Sequence, residues 1–509
     1  MKNLRWLPAV AILVLAIANL LRVWSGEAPD RQDQVIATYV TVGLSLIALL
    51  LWWLLFSRLP GRIRALSLAV MVAIALIGVS TLRLREVTGD LIPVLEWRWA
   101  SSDADSSAGG AAAGGAPAAL ADSPSFPQFL GPDRNATLPP ANLARDWSTT
   151  PPAQLWRQPI GDGWSGFVIA NGLAVTGERR GEEEWTSCYE LATGTLRWAH
   201  KNPVRFEGGV MDGPGPRATP AIADGRVFAL DASGQLDALD LATGELLWTR
   251  NIVTEHQAPL PVYGVSASPL LHEGLVIVLA GGAAGHSLVA YDQVTGEPRW
   301  MGGGDRAAYS SPLVATLAGR EQIVVLNNVN LVGHDAADGS VLWQTPWDGS
   351  TERVSQPVVL PNDRLFASTG YGIGGKLYRI AQDAGGAMAA ELIWESRRLK
   401  AKFTQVVHRD DTLYGLDDGT FVALDVESGE RRWKRGRYGH GHVLLVGDLL
   451  LVQTEKGEVV MLVADPDQHR ELGRFQAIEG KSWNTPALSG RHLLVRNANE
   501  AACYLLPAA

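Results

Sequence analysis

The chain is 509 residues long, with 19% charged residues and a formal net charge of −9, and this acidic balance argues against nucleic acid as a partner, because phosphate binding needs concentrated Lys and Arg. Two Cys exclude a disulfide framework or a thiolate zinc cluster. Fifty-four Gly and 18 Trp suit a turn-rich β protein joined to an apolar membrane part.

Three apolar runs open the sequence, at about residues 6–23, 36–56 and 63–82. Each approaches or exceeds the ~18–20 residues that cross a bilayer as a helix. A cleaved signal peptide is disfavoured, since no small-x-small site comes after the first run and two more runs come straight after. Lys2 and Arg5 precede the first run, and Arg58, Arg62 and Arg64 crowd the second loop. Both positions therefore face the cytoplasm, and the chain beyond residue 82 lies outside, although Arg83 and Arg85 vote the other way. Residues 1–85 read as a three-helix transmembrane anchor in the cytoplasmic (inner) membrane. Residues 86–125 read as a juxtamembrane segment and an Ala/Gly/Ser linker, too poor in large apolar side chains to fold. The aromatic, Pro-rich stretch Phe-Pro-Gln-Phe-Leu-Gly-Pro-Asp-Arg-Asn (126–135) opens an ordered strap, 126–153, leading into the last domain, 154–509.

That domain reads as all-β. Residues 238–248, Ala-Leu-Asp-Leu-Ala-Thr-Gly-Glu-Leu-Leu-Trp, have the alternation and the Thr-Gly turn of a hairpin. The same register of acid, Gly and Trp returns at 188–198, 290–300, 333–343 and 423–433. Units start at 166, 218, 267, 310, 355, 403, 441 and 483, several with a small or polar residue before Pro, and close on Trp156, Trp198, Trp248, Trp300, Trp343, Trp394, Trp433 and Phe475. The closing aromatics lie from 39 residues (Trp394 to Trp433) to 52 residues (Trp248 to Trp300) apart, the period of a four-stranded propeller blade. The last unit has material for three strands, and the first begins with a partnerless Trp strand at 154–160. Joined, they complete an eighth blade and close the ring, which removes the free edges of an open sheet. The expected fold is an eight-bladed β-propeller behind three transmembrane helices.

The Ala-x-Asp-x-x-Thr-Gly-x-x-x-Trp pattern resembles the tryptophan-docking repeat of pyrroloquinoline-quinone (PQQ) type β-propellers over about residues 154–506. The strap and the Glu-Trp-Arg-Trp segment at 96–99 also resemble those of membrane-anchored bacterial PQQ-like repeat proteins, which implies an extracytoplasmic, periplasmic propeller. The resemblance implies structural docking for Trp156, Trp198, Trp248, Trp300, Trp343, Trp394 and Trp433, each packing between blades against the Ala of the next hairpin. It covers two kinds of protein: quinoprotein dehydrogenases with PQQ and Ca²⁺ on the propeller axis, and cofactor-free scaffolds such as the outer-membrane protein assembly lipoprotein. The chain lacks the adjacent Cys pair of the alcohol-oxidising members and, at about 350 residues, the long loop insertions that wall in the quinone. No Asp/Glu/Asn set aligns with their Ca²⁺ ligands. The expected function is a protein-binding or assembly scaffold with other envelope proteins as partners, without catalytic residues, metal or cofactor; the alternative is a PQQ/Ca²⁺-dependent dehydrogenase oxidising an alcohol or sugar.

A ligand would sit at the funnel mouth, just before the inner strands, where Trp164, Arg217, Tyr309, Arg353, Lys402, His440, His442 and Trp483 fall. Cations and aromatics there could hold an acidic or planar group. His440 and His442, two apart on a strand, point the same way but lack a third metal ligand. The Gly/Pro-rich loops at 200–217 and 251–266 flank this rim. Cys188 and Cys503 occupy equivalent repeat positions in blades that become neighbours on closure. They read as two buried thiols, with a bridge left open.

Overall fold

The computed structural model describes residues 6–25, 30–57, 59–99, 124–203, 206–208, 213–283, 285–349 and 352–509. Lys2, Arg5, Arg58 and nearly all of the linker lie outside them. The chain divides into two compact units, residues 1–103 and 104–509.

In the first unit, α1 (Leu7–Ser25), α2 (Arg31–Phe56) and α3 (Gly61–Thr81) are each long and apolar enough to cross a membrane. Asp30 caps α2 by accepting the Gln32 N–H. Residues beyond α3 are folded: β1 (Leu82–Val87) pairs antiparallel with β2 (Pro93–Trp97).

The second unit is an eight-bladed propeller of antiparallel sheets. Blades 1 to 7 span residues 168–203, 221–251, 270–302, 313–346, 358–396, 407–437 and 442–476. Blade 8 combines Ala487–Ser489, His492–Arg496 and Glu500–Leu505 with the Trp strand Ala153–Pro159, where Cys503 faces Trp156. First strands of blades 1 and 2, 2 and 3, 5 and 6, 6 and 7, and 8 and 1 touch around the axis, so the ring closes. Inter-blade packing is apolar: Val168, Val175 and Cys188 of blade 1 meet Ile222, Val227 and Leu239 of blade 2, all but Ile222 fully shielded from solvent.

The repeated hairpin is built as its residue types dictate. Asp240 Oδ1 accepts the N–H groups of Ala242 (3.0 Å) and Thr243 (2.9 Å), which holds its carboxyl below the usual range, and Gly244 takes φ +75°. Five of the seven docking indole N–H groups then reach into the next blade. Trp156, Trp198, Trp248, Trp394 and Trp433 donate to the carbonyls of Leu191, Leu241, Gln293, Val426 and Asp465, at 2.9–3.1 Å. The next hairpin's Gly receives the ring, rather than its Ala: a Cβ on Gly244 would lie 2.6 Å from Trp198, and one on Gly296 2.7 Å from Trp248. Ala238 instead faces Trp248 of its own hairpin. Trp343 departs further, donating to Gln322 Oε1 of its own blade at 2.6 Å, over Gly333. Trp300 Nε1 is buried without a hydrogen-bond partner. Cys188 and Cys503 are free and buried, and burial pushes the Cys188 thiol up to about 12.

Two further layers stitch the axis. One is a run of polar side chains in the entry segments. Thr219 Oγ1 accepts the Gly166 N–H, Ser268 Oγ the Thr219 N–H, and Ser311 Oγ the Ser268 N–H, each at 2.9 Å. Gln405 continues the run by bonding both the N–H and the carbonyl of Gln356. The other layer is the strap, which crosses the far ends of the inner strands. Phe126 exchanges backbone bonds with Ile169, Pro127 accepts from Ile222, and β3 (Thr137–Leu138) pairs in parallel with His442–Val446. At its centre Arg134, 2% exposed, donates to the carbonyls of Ser268, Pro269 and Pro312. Burial lowers this guanidinium to about 9, so it stays charged at neutral pH.

Candidate functional site

The strap and the Thr-Gly turns occupy one end of the axis, so the opposite end, formed by the loops entering each inner strand, is the mouth. The entry loops do not repeat, because only the strands they feed must satisfy the blade pattern.

Four of the expected rim residues stand in a chain of contacts with their neighbours. The rings of Trp164 and Trp483 are 5.2 Å apart, Trp483 and Phe403 5.0 Å, and Phe403 and His440 5.4 Å. Lys481 Nζ lies 4.1 Å from the Trp483 ring centre and 5.0 Å from that of Trp164. Glu455 orients this cluster: Oε1 accepts the Trp483 indole N–H (2.9 Å), and Oε2 accepts the His440 backbone N–H (3.3 Å). Lys402 continues from Phe403, its Nζ 4.7 Å from the Tyr371 ring, with only 1% of the residue exposed.

Tyr309, Arg353 and Arg217 occupy other parts of the rim. The Tyr309 N–H donates to the Arg353 carbonyl (3.0 Å), and its ring lies 5.5 Å from Tyr263. Burial raises the Tyr309 phenol to about 12. Arg353 is buried, and its Nη2 donates to the carbonyls of Asp348 and Gly349; burial lowers its pKa. Arg217 Nη1 and Nη2 donate to the carbonyls of Gly215 (3.2 Å) and Gly213 (3.0 Å). Both arginines thus brace their own loops.

His442 is not part of the mouth. Two residues deeper, roughly 6–7 Å along the strand, its Nε2–H donates to the Trp483 carbonyl at 2.7 Å, tying blade 7 to blade 8. Burial lowers it to about 4, so it is neutral under ordinary conditions. The expected His440–His442 alignment fails because the chain reaches His440 through a bend at Gly439 (φ +67°), before the strand begins at His442.

Phe403, Lys481, Glu455 and the Thr219–Ser268–Ser311 run carry no mark in the hairpin repeat. The run was detectable as the recurrent polar residue before Pro. Glu455 was not, since it acts across a blade boundary. Away from the mouth, a cavity of about 20 Å³ between blades 1 and 2 is lined by Glu184, Asp231 and Asp237, and burial together with Asp231 raises Glu184 to about 7. Among the described residues, His272, Glu273 and Glu321 are the one His/Cys/Asp/Glu group compact enough to hold a metal, and both acids are exposed.

Comparison with known proteins places these features in a family context. The family described as "Outer membrane protein assembly factor BamB" matches residues 151–264 and 182–435. The BamB of Xanthomonas campestris is 33% identical over 87 residues, covering 17% of this chain and 21% of the relative. That of Yersinia pestis is 26% identical over 239 residues, covering 42% of this chain and 56% of the relative. The matched stretches span a fifth to just over half of these relatives' lengths. The crystal structure of BamB from Moraxella catarrhalis, 17% identical, superposes with a TM-score of 0.47 over 70% of this chain and 99% of that one.

Proposed function

Given that the chain belongs to the outer membrane protein assembly factor BamB family, we propose that it is a protein-binding scaffold of the cell envelope. In this reading α1–α3 anchor it in the inner membrane, and the propeller presents its mouth to partner proteins in the periplasm. The observation that carries the reading is the Trp164–Trp483–Phe403–His440 cluster with Lys481 laid over it. Three half-buried aromatic rings, Trp164, Phe403 and Trp483, beside a cation, with the buried His440 and Glu455 underneath, are the composition of a protein-recognition hot spot. The chemistry suits an extended segment bearing aromatic and acidic side chains.

The donor set at the mouth supports a scaffold over a PQQ- and Ca²⁺-dependent dehydrogenase. A calcium ion takes six to eight oxygen ligands. The cluster supplies aromatic rings and a lysine, and its Glu455 carboxylate already accepts two hydrogen bonds.

The test is photocrosslinking from the mouth in intact cells. A crosslinker at Lys481 should capture discrete envelope proteins, and Trp483→Ala should abolish those adducts without changing the amount of protein in the membrane. Saturable PQQ binding with dye reduction by the Ca²⁺-loaded protein, given alcohols or sugars, would overturn the scaffold reading.

A further inference from the structure

The hairpin directly after α3 is an amphipathic ribbon. Leu82 stands opposite Trp97 and Leu84 opposite Leu95, so the four side chains share one face. This apolar face is open, with Leu84 at 53%, Leu95 at 56% and Trp97 at 54% of full exposure. Trp99, 68% exposed, extends it by stacking on Trp97, ring centres 5.6 Å apart. The other face is ionic: Arg83 Nε donates to Glu96 Oε1 at 2.6 Å, and Arg85 lies 3.8 Å from the same carboxylate.

Both ends of the ribbon are fixed to helix termini. Leu82 comes immediately after Thr81, the last residue of α3, whose carbonyl accepts the Arg98 N–H at 2.8 Å. At the turn, Asp90 pairs with Arg31, the first residue of α2, at 3.2 Å, and Leu91 accepts from the Tyr39 hydroxyl at 3.3 Å. The ribbon therefore lies across the ends of two candidate spans, at the depth where hydrocarbon gives way to headgroups. Tryptophan prefers that layer, and an apolar sheet face left in water beside it would forgo burial that lipid offers at no distance. Three cations (Arg83, Arg85, Arg98) balance three anions (Glu86, Asp90, Glu96), so the ribbon carries no net charge that demands an acidic lipid.

We propose that this ribbon is a membrane-interface element: the face of Leu84, Leu95, Trp97 and Trp99 sits in the adjoining leaflet, and the Arg83–Glu96 face stays in water. The proposal rests on α1–α3 spanning the bilayer.

Both native thiols are buried, so a single introduced Cys can be labelled selectively. Full-length protein carrying Leu95→Cys, Glu96→Cys or Met71→Cys, each with an environment-sensitive fluorophore, is reconstituted in pure phosphatidylcholine vesicles. Met71, in the middle of α3, reports on the span itself and should be quenched only by deep nitroxide lipids. At position 95 the label should emit to the blue, be quenched by shallow nitroxide lipids and be shielded from iodide, while the label at 96 shows the reverse. Iodide quenching equal at 95 and 96, with position 71 still deep, would overturn the proposal while leaving the span intact. Shielding at 95 from both lipid and aqueous quenchers would overturn it in favour of a protein cover. Loss of the deep signal at 71 would instead refute the spanning helices. The double variant Leu84→Lys/Leu95→Lys, read from a label at Trp99→Cys, should bring that site into water with α3 still inserted.

Discussion

Gly244 and Gly225 allow the docking joint to be dissected one atom at a time. Both have positive φ, +75° and +73°, but a Cβ on Gly225 meets nothing within 4 Å, whereas one on Gly244 lies 2.6 Å from the Trp198 ring. Gly225→Ala should cost about 1 kcal/mol, the backbone strain alone. Gly244→Ala should cost roughly 2–3 kcal/mol, because Trp198 must also leave its carbonyl partner. The difference between the two denaturation midpoints measures the docking. His442 gives a test in pH. Its pKa is lowered from 6.5 to about 4 by burial, so its contribution is fully present above pH 6.5. As the pH falls below that, the unfolded chain binds a proton the native site refuses, and about 3 kcal/mol is lost by pH 4. His442→Gln should flatten the fall in melting temperature between pH 7 and 4, though not abolish it, since burial also lowers His334 and His408. Glu184 acts oppositely: raised to about 7, it favours the native state at low pH and loses that effect between 4.5 and 7.

At the scale of elements, the hairpins were readable because each carries its own instructions: an acid for the turn amides, a Gly for positive φ, a Trp for the seam. Trp343 shows where this legibility ends. Its sequence matches the repeat, but blade 5 turns through residues 383–387 without the Thr-Gly step, so no Gly platform waits for the indole. Gly333 lets it fold back on its own blade. The strap could be recognised as ordered from its Phe and Pro, yet not placed, because the bonds that seat it on the blades reach groups far along the chain. Arg134 joins residues 134 to 178 positions away. Arg134→Ala strands three carbonyls inside the axis and should cost about 3–5 kcal/mol. It should also open the strap to protease, read as cleavage between 124 and 138 under native conditions. Arg134→Lys keeps the charge but not the three-way fork, and should recover only part of the loss.

The whole molecule depends on one seam, joining residues 153–159 to 500–505. It was legible because both ends of the array are incomplete in complementary ways, one lacking a strand and the other holding a spare. The mouth was legible only as a location, since its side chains do not follow the repeat. The seam itself is well built: Arg157 makes two bonds to Glu500, at 2.6 and 2.7 Å, and Trp156 lies opposite Cys503. In an open array each blade depends only on its neighbours, and unfolding spreads from the ends; closure removes the ends. A chain ending at Asn499 leaves 153–159 without its sheet partner, exposing the edge of His492–Arg496 on one side and Trp156 on the other. Its urea transition, followed by far-ultraviolet circular dichroism in detergent, should begin at lower denaturant and become broader, with a smaller slope as blades melt separately. Removing only residues 508–509, which lie beyond the last buried side chains, should leave both midpoint and slope unchanged. If the Asn499 truncation also unfolds with the full-length midpoint and slope, the ring's stability does not come from its closure.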